Sequence, residues 1–163
     1  MAPTPTLPAG KYLTFKVDTS CYAFGIHDIR EIILPMDIAR VPRAQKWIRG
    51  VINLRGKIIP VMDLRARFEL PALDTTERTV VIVVQRNFNG NDSIFGIQVD
   101  EVLDVLTVRA EQIAPPPDFG GGSDEGTRCI LATARAGERV VFVLDIERIV
   151  FELPTGAVTR HEA

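Results

Sequence analysis

The stretch WIRGVINLRGKIIPVMDLR, residues 47–65, decides how this chain is read. Ile48, Val51, Ile52 and Leu54 run into Arg55-Gly56, and Ile58, Ile59, Val61 and Met62 run back out. Two apolar runs around a short polar pair are the pattern of a hairpin. Gly56 lacks a Cβ and can take positive φ, so residues 53–56 are expected to close as a type I turn ending in a left-handed residue. That turn would hold the Arg55 side chain out in water. A guanidinium on a stiff tip suits bidentate contact with a carboxylate, and an ordinary solvated turn arginine is the plain alternative.

Working outward, Pro60 has no N–H to give to a ladder, which places the return strand at an edge or at a bulge. Residues 65–70 leave room for about one turn of helix before Pro71, and 71–78 read as a polar connector. Upstream, residues 11–17 alternate as a strand, 18–20 turn, and 21–26 pair back. Ile29, Ile32 and Ile33 fit either a helical turn or a strand. Downstream, TVVIVV at 79–84 is a β-branched run suited to a strand buried on both sides. NFNGND at 87–92 closes a hairpin into 93–99, and Val102, Val105, Leu106 and Val108 mark a further extended or mixed segment. Residues 114–127 are a linker by composition. Residues 129–134 and 139–144 form a last hairpin, with Asp145 placed to cap a short helix over 146–153.

The chain has 163 residues, 46% of them hydrophobic, enough for one domain with a real core. It contains no apolar run of about 18 residues, and its proline-dotted start lacks the pattern of a secretory signal, so a soluble, cytoplasmic protein is expected. Residues 1–10 read as a disordered lead-in and 155–163 as a fraying tail. Cys21 and Cys129 are lone and far apart, which suits small buried hydrophobes. Between Arg40 and Arg67, eight basic residues face the single acid Asp63, while acids outnumber bases from Phe68 onward. A basic region on an acidic molecule points to an acidic partner. An OB-type nucleic-acid barrel is the competing reading, weakened by the scarcity of stacking aromatics beside those bases, where only Trp47 occurs.

Two segments recur. FGIHDIREIIL from Phe24 returns as FGIQVDEVLDVL from Phe95, and IIPVMDLRARFELP from Ile58 as VVFVLDIERIVFELP from Val140. Offsets of 71 and 82 to 83 residues are too long for a solenoid and suit two small antiparallel barrels packed together. Catalytic patterns are missing: neither metal-ligand spacing nor a nucleophile or phosphate-loop motif occurs. His27 beside Asp28 reads as polar surface. Asp63 and Asp145 follow equivalent strands and read as caps rather than an acid/base pair. A protein that binds, without cofactor or metal, is expected.

The 47–65 run resembles the signature of CheW, the coupling protein of bacterial chemoreceptor arrays, in which a GVxNLRGxxxPxxDLR pattern recurs. YAFGIHDIREI, TVVIVV, FGIQVDEVLDV, EQIAPPPDF and VVFVLDIERIV match in order, so the likeness spans roughly residues 12–150. It implies an all-β fold of two intertwined five-stranded SH3-like barrels with short helical segments and a short C-terminal helix. The domain would run over 11–154, with a first barrel near 11–70 and a second near 78–154. The implied role is a non-enzymatic adaptor joining a chemoreceptor's cytoplasmic tip to the regulatory domain of a CheA-type histidine kinase, recruited to membrane-associated arrays. A paralogue serving a pilus or another chemosensory pathway is the alternative. Carried over by resemblance, Ile29, Gly50, Arg55, Val80, Val81, Val102 and Val105 would face the receptor in a groove between the barrels. The surface around Lys57 and Pro60 would meet the kinase.

Overall fold

A computed structural model describes residues 9–88, 90–115 and 129–151. Residues 1–8 of the expected 1–10 lead-in, most of the 114–127 linker and the tail lie outside these, and Gly10 is already the first residue of a strand. The strands are β1 (Gly10–Val17), β2 (Ser20–Gly25), β3 (Ile29–Ile33), β4 (Ile48–Leu54), β5 (Lys57–Asp63), β6 (Val80–Phe88), β7 (Asn91–Val99), β8 (Glu101–Val108), β9 (Ile113–Ala114), β10 (Ile130–Ala136) and β11 (Arg139–Leu144). Two short helices, α1 (Leu64–Arg67) and α2 (Ile146–Phe151), follow β5 and β11. The ambiguous isoleucines resolve as one 3-10 turn (Ile26–Asp28) leading into β3.

One sheet has the order β8-β1-β2-β11-β10-β9 and the other β3-β6-β7-β5-β4. The first therefore has six strands rather than five, because the two-residue β9 adds to β10. Under the repeat offsets, β8, β1, β2, β11 and β10 correspond to β3, β6, β7, β5 and β4, and the two orders coincide. Each sheet takes its first hairpin from one half of the chain and its other three main strands from the other half. A cut between residues 70 and 78 does not separate the sheets. The joins are two parallel pairings, β2 with β11 and β5 with β7. Local irregularities repeat too: the β4–β5 register shifts between Ile48 and Gly50, and the β10–β11 register between Ile130 and Ala132, 82 residues on.

The apolar alternation explains why both faces of each sheet are covered. Val81 and Val83 point into a cluster with Ile52, Ile59 and Val61, all from the five-stranded sheet. Ile82 and Val84 point the other way, into a larger cluster with Phe15, Phe24, Met62, Ile97 and Leu144 from both sheets and Ile149 from α2. Tyr12, Ala23, Val141 and Val143 fill the interior of the six-stranded sheet. Five consecutive β-branched apolar residues, 80–84, are what such a doubly covered strand requires.

Asp63 and Asp145 act as the expected caps, accepting from Arg65 N and Glu147 N at 3.0 Å each. Their own N–H groups donate to Trp47 O at 2.7 Å and Cys129 O at 2.8 Å. Pro60 corrects the edge-strand expectation: β5 lies between β4 and β7. The parallel pairing to β7 begins only at Val61, so the missing N–H falls just before the ladder needs it. The hairpin also turns more tightly than expected. Leu54 pairs with Lys57, leaving a two-residue loop in which Arg55 (φ 52°) and Gly56 (φ 87°) both have positive φ. This is the primed geometry that matches strand twist, supported by the Gly56 N–H donating to Asn53 Oδ1 at 2.9 Å.

Two of the counted basic residues are not surface. Arg65 is buried, donating to Pro71 O at 2.9 Å and Asp100 Oδ2 at 2.6 Å and reaching Asp18 Oδ1 at 3.3 Å, which ties the β1–β2 turn and the bend between β7 and β8 to the connector after α1. Arg67, 1% exposed, lies 5.2 Å over the Trp47 ring and donates to Ile149 O at 3.3 Å. The exposed basic set is thereby reduced to Arg40, Arg43, Lys46, Arg49, Lys57 and the paired Arg55.

Gly50 sits in β4 at φ 144°, where an added Cβ would lie 2.1 Å from Ala39 O. That close approach lets Ala39 and Val51 exchange two 2.9 Å hydrogen bonds, covering the outer side of β4. Gly50→Ala is expected to lower unfolding stability by about 3 kcal/mol, combining backbone strain with loss of the bridge. A urea titration followed by Trp47 fluorescence measures it.

Candidate functional site

In each sheet an acid on the first strand of the order, β3 or β8, meets an arginine on the hairpin at the other side, β4–β5 or β10–β11. In the five-stranded sheet, Arg55 Nη1 and Nη2 donate to Glu31 Oε2 and Oε1 at 2.5 and 2.7 Å. In the other, Arg139 Nη2 reaches Asp104 Oδ1 at 3.2 Å, and β8 approaches β10. Glu31 and Asp104 hold equivalent places, since Ile29 pairs with Val84 as Val102 pairs with Phe15, and Ile32 with Ile82 as Val105 with Leu13. Both sheets are thus closed by an ion pair at the same point.

Arg55 is therefore 69% exposed but already engaged in the bidentate contact its shape favours. Its carboxylate partner belongs to this chain. Hydrogen bonding to Arg55 holds the Glu31 carboxyl below the usual glutamate range. Bonding to Thr14, and then the Arg139 charge, does the same for Asp104. Asp63 moves the other way, pushed up first by burial and pulled back by the Arg65 N–H.

The seven expected receptor-facing residues divide by burial. Ile29, Val80 and Val102 are half-buried, and all three pack on the rim of the core shared by the two sheets. Val105 is 50% exposed on β8. Val81 is 1% exposed and Gly50 is buried, so neither offers surface to a partner; Val81 fills the interior of its own sheet. The seam between the barrels is filled by the chain's own side chains, and Ile29, Val80 and Val102 form its partly accessible rim. Near the hairpin, Lys57 is exposed, Pro60 half-buried, and Ile58 between them 64% exposed. Ile58 was not singled out by sequence reading, nor were Glu31, Ile32 (42% exposed), Thr14 and Asp104. Its equivalent in the repeat, Val140, is also exposed. Nothing local marks Glu31, which lies 24 residues from its arginine.

Among the described residues no group of three His, Cys, Asp or Glu could hold a metal, and His27 is exposed on the 3-10 turn. No helix among them is long and apolar enough to cross a membrane. A rigid doubled β scaffold with apolar edge rims defines a protein-interaction module. The CheW-like domain family matches residues 11–152, and the chain belongs to that family. It is 35% identical to the chemotaxis protein CheW of Klebsiella aerogenes over 139 residues, 85% of this chain and 80% of the relative. It is 32% identical to that of Thermotoga maritima over 141 residues, 86% and 87% of the two chains. The solved structure of the scaffolding protein TtCheW from Thermoanaerobacter tengcongensis superimposes with a TM-score of 0.78 at 25% identity, covering 93% of this chain and 98% of that one. The protein PilI of Pseudomonas aeruginosa is 27% identical over 88 residues, about half of each chain.

The two clasps make a signed pH prediction. Depressed carboxyls stabilise the fold above their ordinary range, near pH 4, and that contribution is lost as the pH falls through their lowered folded values. Asp63, raised, acts in the opposite sense and is the same in both proteins compared. The double variant Glu31→Gln, Asp104→Asn should therefore lose less stability than the wild type between pH 5 and 3. Chemical unfolding at stepped pH reads the two slopes.

Proposed function

We propose that this chain is a non-catalytic adaptor of chemotaxis signalling, one that joins the cytoplasmic tip of a chemoreceptor to the regulatory domain of a CheA-type histidine kinase in membrane-associated arrays. The observation that carries the reading is the apolar rim on a pinned edge strand, Val102 and Val105 on β8, in a chain that belongs to the CheW-like family. Ordered strands lose little freedom on binding, and half-exposed valines accept the apolar face of a helix at its i, i+3 and i+4 positions. Ile29 and Val80 extend the apolar rim, Arg55 supplies charge at the hairpin tip, and Gly50 and Val81 shape the surface from beneath. The kinase contact is assigned to Lys57, Ile58 and Pro60, where an exposed isoleucine stands beside a cation on a rigid hairpin. A role in a pilus pathway has the weaker support, since the likeness to PilI covers half the chain and that to CheW proteins most of it.

Capture of a receptor signalling-domain helix pair and of a kinase regulatory domain, measured separately, tests both surfaces. Val105→Glu is expected to leave the melting temperature within about 2 °C and to weaken receptor capture about tenfold or more, because it sets a charge against an apolar face. Val102→Glu should lower both capture and melting temperature, since Val102 also packs on the core. Ile58→Asp should weaken kinase capture and leave receptor capture unchanged. Receptor capture unaffected by Val105→Glu removes the assigned receptor surface, and wild-type protein that captures neither partner removes the function.

A further inference from the structure

Val102 and Val105 lie three residues apart on one strand, and in a regular strand that spacing puts two side chains on opposite faces. Here they share a face. Val102 pairs with Phe15 and Val105 with Leu13, and Phe15 and Leu13 both point into the shared core. Leu106, the next residue, pairs with Tyr12 and packs with it in the interior of the six-stranded sheet. The switch is made by a bulge in which Leu103 and Asp104 together oppose the single residue Thr14.

A bulge leaves ladder groups unpaired and bends the strand, so it persists where something else satisfies them. Thr14 does so. Its side chain is fully buried, and its Oγ1 accepts from Asp104 N at 3.1 Å and faces Asp104 O at 2.9 Å and Asp104 Oδ1 at 2.5 Å. The Asp104 carboxylate is also held by Arg139 Nη2, at 3.2 Å from Oδ1 and 3.4 Å from Oδ2. The equivalent bulge in β3, between Ile29 and Glu31, faces Val83, which has no hydroxyl to offer. The two copies of the bulge are therefore held differently, and only the β8 copy carries this buried hydroxyl.

We propose that Thr14 is a positioning residue for partner docking: its hydroxyl, braced through Asp104 by Arg139, latches the β8 bulge and so keeps Val102 and Val105 on one face as a single apolar contact. This rests on the receptor-facing role assigned to those valines. Thr14 lies beneath the strand and touches no partner. It acts on binding through the register of Val105.

The test compares Thr14→Val, which keeps shape and removes the hydroxyl, with Thr14→Ser, which keeps the hydroxyl, using capture of the receptor helix pair and amide hydrogen exchange along β8. Thr14→Val is expected to lower capture about tenfold and to speed exchange at Asp104 and Val105 selectively, while Thr14→Ser stays within about twofold of wild type. Arg139→Gln should give a smaller loss of the same kind, and it stands in for Thr14→Val if that variant does not fold. Val105→Glu is run alongside. If Val105→Glu weakens capture and Thr14→Val, or Arg139→Gln in its place, leaves both capture and β8 exchange unchanged, the latch is overturned while the docking surface stands. If Thr14→Ser fails as badly as Thr14→Val, the hydroxyl is not the cause and the inference also falls. If Val105→Glu has no effect on capture, the docking surface itself is wrong, and the latch falls with it.

Discussion

Neither sheet can be completed from its own half of the chain. The β1–β2 hairpin is built into the sheet of β8, β10 and β11, and the β6–β7 hairpin into the sheet of β3, β4 and β5. The parallel pairings of β2 with β11 and β5 with β7 are where the halves interlock. Parallel neighbours need long connections, and here each connection carries the chain across the molecule. The large core between the sheets takes Phe15 and Phe24 from one half and Ile82, Ile97, Leu144 and Ile149 from the other. Pulling the two halves of the chain apart would break both joins, and pulling the barrels apart would expose that core, so the two barrels form one cooperative body.

Rigidity at the edges follows from the same plan. Open sheet edges invite uncontrolled pairing, and natural proteins blunt them with bulges, charges and covering loops. This chain uses all three: bulges in β3 and β8, an acid–arginine clasp closing each sheet, and the Ala39 bridge over β4. On the strands, the large apolar side chains left exposed are Ile32, Val105, Ile58 and Val140, while Leu34, Met36, Val41 and Leu73 are exposed on the connections. Such patches suit regulated contact with other proteins. They stand in equivalent pairs, Ile32 with Val105 and Ile58 with Val140, so the strands present two related but non-identical sets of apolar contacts.

Charge on the sequence and charge on the surface differ for a structural reason. Arg65 and Arg67 stand in the run that makes the chain look most basic, yet both are interior. Arg65 neutralises two turn aspartates, and Arg67 seats the two helical segments against each other with Trp47 beneath it. Arg55 stays outside but is spoken for by Glu31. The basic region is consequently smaller and more dispersed than its composition implies.

The amino-acid sequence by itself determined the central hairpin, the doubly buried TVVIVV strand, the aspartate caps, the doubling and the family, because period-two alternation, turn chemistry and a long motif are local signals. Only the tertiary structure decided which strands pair, that Pro60 lies inside a sheet, that Val81 and Gly50 are covered, and that the seam between the barrels is filled. It also decided that Arg55 meets Glu31 and that a bulge over Thr14 aligns Val102 with Val105. Alternation tells which residues share a face, but not which neighbour covers that face or where a register slips by one. Most of those choices are made between residues far apart in the chain, 24 positions for Glu31 and Arg55, 90 for Thr14 and Asp104 and 120 for Cys21 and Val141, by packing and hydrogen bonds that form only when the halves interlock.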